Sequence, residues 1–97
     1  MQINEDVGNE YKEVLEEVVR VRSQRKKLYG DSYSEMDSLG HAYHAQNKIK
    51  RLMFNIKSGN KNYESAKDNA LDIINYMLFF LIMLEKEKRT GAKQWKK

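Results

Sequence analysis

The chain has no cysteine and no proline, and only five glycines and two histidines in 97 residues. Without cysteine there are no disulfides, no thiolate metal ligands and no thiol nucleophile. Two histidines alone cannot build a Cys/His structural zinc site. Sandwiches and barrels need many turns, which draw on proline and glycine. Their scarcity argues against an all-β fold and for long, uninterrupted helices. No apolar stretch is long enough for a membrane span. The longest, residues 73–84, has twelve positions and includes Asn75, against the roughly 20 that a span needs. The first ten residues, MQINEDVGNE, are polar and acidic and do not read as a signal peptide.

What is present fits a globular chain. Hydrophobic residues make up 40% and charged residues 33%, and a disordered chain would have fewer core-forming residues. The length suits one domain of radius ~13 Å, too small to hold separate catalytic and cofactor domains. The expected location is the cytoplasm, that of the host if the source is viral, with no membrane partner.

The net charge of +4 hides alternating blocks. Residues 1–19 set one lysine against six acids, and residues 20–30 carry Arg20, Arg22, Arg25, Lys26 and Lys27 with no acid. Acids early and bases late in one helix match its dipole. The alternative is a basic surface for phosphates. A second basic block covers residues 48–61, and a third starts at residue 85.

Hydrophobic spacing predicts three main helices. The first spans about Asp6 to Tyr29, with Tyr11, Val14, Leu15, Val18, Val21 and Leu28 along one face; Gly30 then serves as a C-terminal cap. A connection over residues 31–40 has room for one short helical turn at Ser32–Glu35, which has capping-box spacing. The second helix spans about His41 to Lys57, with an apolar stripe of Ala42, Ala45 or Gln46, Ile49, Leu52, Met53 and Ile56. Residues 58–62 break the pattern, and Asn62 is placed to cap the third helix, about Tyr63 to Arg89. That helix is amphipathic at first and apolar all round in its second half, which demands burial on every side. Two other helices cannot wrap it. The expected architecture is therefore an all-α small helical bundle of three main helices, completed by dimerisation, in which the Tyr76–Leu84 segment packs on its symmetry mate. Residues 1–89 form the helical domain, and residues 90–97 read as a basic flexible tail.

Four constellations could carry chemistry. Glu64, Asp68, Asp72 and Asn75 fall on one face of the third helix. Like charges at that spacing repel, and Mg²⁺ is one partner that would offset them; the alternative is pairing with cations of the second helix. His44, Lys48 and Arg51 share a face of the second helix, beside Asn47 and Lys50. A Lys and an Arg one turn apart can clamp a di- or triphosphate, or can simply neutralise Asp68 and Asp72. Glu10, Glu13, Glu16 and Glu17 cluster on the first helix. They either complete a divalent-metal site or form an exposed acidic face with Glu16 paired to Arg20. Finally, Tyr29, Tyr33, Tyr43 and Tyr76 offer rings on which a nucleobase could stack, or core packing.

Three strings in order resemble a known family. Leu28-Tyr29-Gly30-Asp31-Ser32-Tyr33-Ser34-Glu35-Met36, then Asn47-Lys48-Ile49-Lys50-Arg51-Leu52, then the run from Glu64 to Tyr76 resemble segments of the nucleotide modification associated domain family, type 1. That family is similar in helical plan to MazG-type all-α nucleoside triphosphate pyrophosphatases. The resemblance covers roughly residues 11–85. It implies a bacterial or phage protein that acts on nucleotides or modified bases and works as a homodimer or higher oligomer. By the same resemblance Asp68 and Asp72, with Glu64, would hold Mg²⁺. Lys48 and Arg51 would contact phosphates, and Asn75 and Tyr76, with Tyr29, would lie near the base. Glu13 and Glu17 would stand in as catalytic acids, one of them the general base of a Mg²⁺-dependent pyrophosphohydrolase.

The sequence departs from that pattern twice. Position 47 is Asn where the motif carries Asp, which removes a charge from the metal. No Glu-Glu-x-x-Glu group precedes the third helix. A scaffold without its metal would bind a nucleotide without cleaving it. The rival expectation is thus a non-catalytic phage effector that binds a nucleotide, a host protein or nucleic acid, the last through the basic blocks with steep salt dependence.

Overall fold

The computed structural model describes residues 5–59 and 62–91. Among these the chain is all-α, with no strand. Three main helices appear: α1 (Asn9–Tyr29), α2 (Ser38–Lys57) and α3 (Tyr63–Thr90). Two short 3-10 turns, Glu5–Val7 and Ser32–Glu35, precede α1 and α2. The chain divides into two compact units, Met1–Asp31 and Ser32–Lys97.

In the first unit, α1 starts three residues later than the apolar pattern suggests. Gly8 adopts φ 91°, a conformation only glycine takes cheaply, and this separates the 3-10 turn from the α-helix. The far end closes as expected at Gly30, whose φ is 60° and whose N–H donates to the Lys26 carbonyl at 2.8 Å. Arg22 then pins the exit. Its guanidinium donates to the Gly30 carbonyl at 3.3 Å and pairs with Asp31 at 3.1 Å. Glu10 lies in the first turn and Lys26 and Lys27 in the last, the arrangement that complements the dipole. Along the predicted stripe, Val18 is buried and Leu15 and Val21 are half-buried, but Tyr11, Val14 and Leu28 are exposed.

The second unit is an antiparallel pair of α2 and α3. Ser38 at the start of α2 meets Glu87 near the end of α3, and Lys48 in mid-α2 meets Asp72 in the first half of α3. α2 begins at Ser38 rather than near His41. The Asp37 carboxylate accepts from the Gly40 N–H at 2.9 Å, a side-chain N-cap, so Gly40 lies inside the first turn instead of breaking the helix. Glycine leaves room there for the Met36 side chain. A Cβ at residue 40 would overlap Met36 Cγ and sit 2.9 Å from its Sδ, so that side chain would have to move. At the other end Ser58 N–H donates to the Phe54 carbonyl, and Gly59 turns the chain at φ 78°. Of the break expected over 58–62, residues 60 and 61 lie outside the described residues. Asn62 caps α3 as expected, accepting from the Ser65 N–H at 3.0 Å. Thr90 closes α3 and Gly91 follows in the left-handed conformation. The helix thus runs one residue past the expected end at Arg89, and residues 92–97 of the expected tail lie outside the described residues.

The seam between α2 and α3 is more polar than the sequence pattern suggests. Its buried members are Ala45 and Met83 together with Ser38, His41, Asn69 and Glu87. The stripe predicted for α2 is rotated away from it: Ile49, Met53 and Ile56 are exposed, and Ala42 and Leu52 are half-buried. The seam instead follows Ser38, His41, Ala45 and Lys48, at spacings of three, four and three, the period of one helix face. The second half of α3 is not buried all round within the chain either. Met77, Leu78, Leu81 and Ile82 are 40–57% exposed.

Candidate functional site

Two of the predicted constellations come together along the seam. His44 and Lys48 are one turn apart on α2. Opposite them, Asp72 and Tyr76 are one turn apart on α3. The Lys48 ammonium lies 3.1 Å from Asp72 Oδ2, with side chains 26% and 18% exposed. One turn away His44 stacks on Tyr76, with ring centroids 5.1 Å apart and planes 14° from parallel. The strip continues inward as an aromatic ladder. His41 lies between Tyr76, at 6.3 Å, and Phe79, at 5.4 Å, and Phe79 stacks on Tyr33 at 4.5 Å. Lys86 caps the ladder with its ammonium 5.6 Å above the Tyr33 ring, a cation–π contact.

On α2 and α3 the other expected members do not join this contact. Arg51, one turn beyond Lys48, is exposed, as are Asn47, Glu64 and Asp68; Asn75 is half-buried on α3. Glu13, Glu17 and Tyr29 belong to α1 in the first unit. Glu13 and Tyr29 are exposed, and Glu17 pairs with Arg20 at 3.1 Å. Arg20 therefore takes the acid at i−3, not the Glu16 at i−4 that spacing suggested.

In this structure the third-helix carboxylate nearest the second helix is engaged by a lysine. Mg²⁺ is usually held by one or two carboxylates, with waters and substrate phosphates completing its shell. Asp72 presents Oδ2 to an ammonium instead, and a cation at that distance both neutralises the carboxylate and occupies a ligand direction. Among the described residues no group of three His, Cys, Asp or Glu side chains is placed to hold a metal ion. The spacing of Glu64, Asp68 and Asp72 put them on one helix face, but a face is not a convergence point. Lys48 offsets Asp72, one part of the alternative in which Lys48 and Arg51 neutralise Asp68 and Asp72.

A second polar cluster escaped the sequence reading. The Glu87 carboxylate accepts from the Ser38 hydroxyl at 2.6 Å and from the Ser38 backbone N–H at 2.9 Å. Ser38 is fully covered and Glu87 nearly so. Apart from its Asp37 cap, α2 has no acid in its own first turn, so Glu87 supplies the negative charge that its N-terminus favours. Next to it His41 Nε2 lies 3.0 Å from the Tyr33 carbonyl. That bond requires Nε2–H to donate, and it leaves Nδ1 buried without a hydrogen-bond partner. The only sequence signal for this cluster was the Asp37-Ser38 pair, whose chemistry suits a helix start. Glu87 sits in the charged run from Glu85 to Arg89 and so reads as solvated.

No described helix is long and apolar enough to cross a membrane. Comparison with known proteins adds no relative: no family model, no curated protein and no solved structure matches this chain.

Proposed function

We propose that this chain binds a nucleotide, or another small molecule joining a planar ring to phosphates, and does not hydrolyse it. The observation that carries the reading is the His44–Tyr76 stack standing one turn from the Lys48–Asp72 pair. His44 is exposed, so a base laid on its outer side would extend the stack. Base–aromatic stacking contributes about 1–3 kcal/mol. Lys48 and Arg51 follow about 6 and 10 Å along the helix axis, within reach of the phosphates of the same molecule. Lys48 keeps ammonium donors beyond the one directed at Asp72, because a lysine has three. Arg51 offers a planar fork suited to two phosphate oxygens. Asp72 in this reading orients Lys48 and does not ligate a metal. That is why binding without cleavage is preferred over the Mg²⁺-dependent hydrolase implied by the family resemblance.

The test is calorimetric titration of the purified protein with nucleoside triphosphates in EDTA. Binding should occur without metal. It should weaken at least about tenfold in His44→Ala, the loss expected from one stacking contact, and should also weaken in Arg51→Ala. Absence of heat at millimolar nucleotide would reject the reading. Pyrophosphate release that needs Mg²⁺ and vanishes in Asp72→Ala would replace it with the hydrolase.

A further inference from the structure

We infer that α2 carries a binding surface for single-stranded nucleic acid on the side turned away from α3. The seam fixes which side that is, because Ser38, His41, Ala45 and Lys48 are turned to α3. Half a turn round the helix from them runs a second row: Tyr43, Asn47, Lys50, Phe54 and Lys57, at spacings of four, three, four and three. Such spacing keeps all five on one face. Every member is exposed, Tyr43 by 59% and Phe54 by 71%. The row holds neither His44 nor Arg51, so the inference does not rest on the nucleotide site proposed above.

The chemistry of the helix selects the occupant. From Ser38 to Lys57 there is no acidic residue, and there are four cations, Lys48, Lys50, Arg51 and Lys57. A polyanion complements that charge. Within the row cations alternate with rings: Lys50 lies about one turn before Phe54, and Lys57 about one turn after it. A strand laid along this face meets a cation for its phosphates and a ring for its bases in turn, the combination by which proteins hold single strands. Asn47, one turn from Tyr43, adds a carboxamide that can both donate to and accept from a base edge. Tyr43 and Phe54 stand about 16 Å apart along the axis, so they take two bases of one strand. A duplex is a poorer occupant, because its bases are stacked on one another and offer these rings no face. An anionic membrane is a poorer one as well. A helix lying in a membrane interface gathers its apolar residues on one face and its cations on the other, whereas this row interleaves them.

The test uses the full chain and the fluorescence anisotropy of labelled oligothymidylate and oligouridylate at low salt. Binding is expected, and it should fall as salt rises, with a slope of log K on log salt of about −0.7 for each phosphate contacted. Phe54→Ala and Tyr43→Ala should each weaken it about fivefold or more, the loss of one stacked base, whereas Phe54→Trp keeps it. Lys50→Ala and Lys57→Ala should each make the salt slope shallower by about 0.7. All four side chains are exposed, so the variants should keep the helix content and thermal midpoint of the unaltered chain. No change in anisotropy at low salt overturns the inference, as does a matched duplex bound as tightly as the strand. Binding that survives both Phe54→Ala and Tyr43→Ala undiminished also overturns it, since charge alone would then explain the affinity. Binding to phosphatidylcholine–phosphatidylserine vesicles without binding to either oligonucleotide would assign the face to a membrane instead.

Discussion

Removing the Glu87 carboxylate should destabilise this protein more than removing any exposed acid. Ser38 has no exposed surface, and it directs both its hydroxyl and its backbone N–H at Glu87. Hydrogen bonds to a charged acceptor contribute about 1.5–3 kcal/mol each, and a buried donor left unmade costs a similar amount. Glu87→Ala orphans two such donors. The expected loss is therefore about 3–5 kcal/mol, less whatever a water in the vacated space recovers. Against a total stability of roughly 5–15 kcal/mol, this would lower the urea midpoint sharply. Circular dichroism at 222 nm during urea titration provides the assay. Ser38→Ala removes one donor and leaves the other bonded, so it should cost about 1–2 kcal/mol. In the double variant the serine change should cost little further, because its acceptor is already gone; a coupling of about 1 kcal/mol or more follows. Glu85→Ala is the control: its side chain is 61% exposed, and the change should stay within about 0.5 kcal/mol. If Glu87→Ala costs no more than Glu85→Ala, the cluster does not hold the two helices together and this account is wrong.

Two further outcomes follow from the same unit. Gly40→Ala would ordinarily favour a helix by about 1 kcal/mol. Here the new methyl meets Met36 Cγ and lies 3.1 Å from the capping Asp37 carboxylate, so overpacking of about 1–3 kcal/mol should cancel or exceed that gain, a net loss of about 0–2 kcal/mol, read by thermal denaturation; a raised melting temperature would contradict the packing. Asp72→Asn leaves the Lys48 ammonium facing a neutral amide in a site that is only about a quarter exposed. It should cost about 1 kcal/mol once solvent screening is allowed for, and in a double-mutant cycle with Lys48→Met the double variant should lose less than the sum of the two single variants; strict additivity would mean that the pair contributes nothing.

Those helix ends that depend on local chemistry alone were legible. Asn62 caps α3 and Gly30 closes α1 for reasons contained within four residues of chain. Gly40 was misread for the opposite reason. Its neighbour Met36 fills the space a side chain would need, and no rule about glycine in isolation reports that. The candidate site was legible by half. Helical spacing placed Lys48 on one face and Asp72 on another. Whether these two faces met each other or a metal ion depended on how the helices turned about their axes. The seam formed along His41, Ala45 and Lys48 instead of Ile49, Met53 and Ile56, and that rotation turned an ion pair inward and left the aliphatic row outside.

Composition and periodicity by themselves determined that the chain is all-helical and roughly where each helix runs. Absence of proline, spacing of apolar residues and capping side chains all act over a few residues. Only the tertiary structure decided which polar groups are buried. Ser38 and Glu87 are 49 positions apart, and the cost of covering a carboxylate is offset only by donors that the antiparallel fold brings to it. Glu87 and Glu85 are the same residue type within one charged run. Burial separates them, and burial is set by the neighbouring helix.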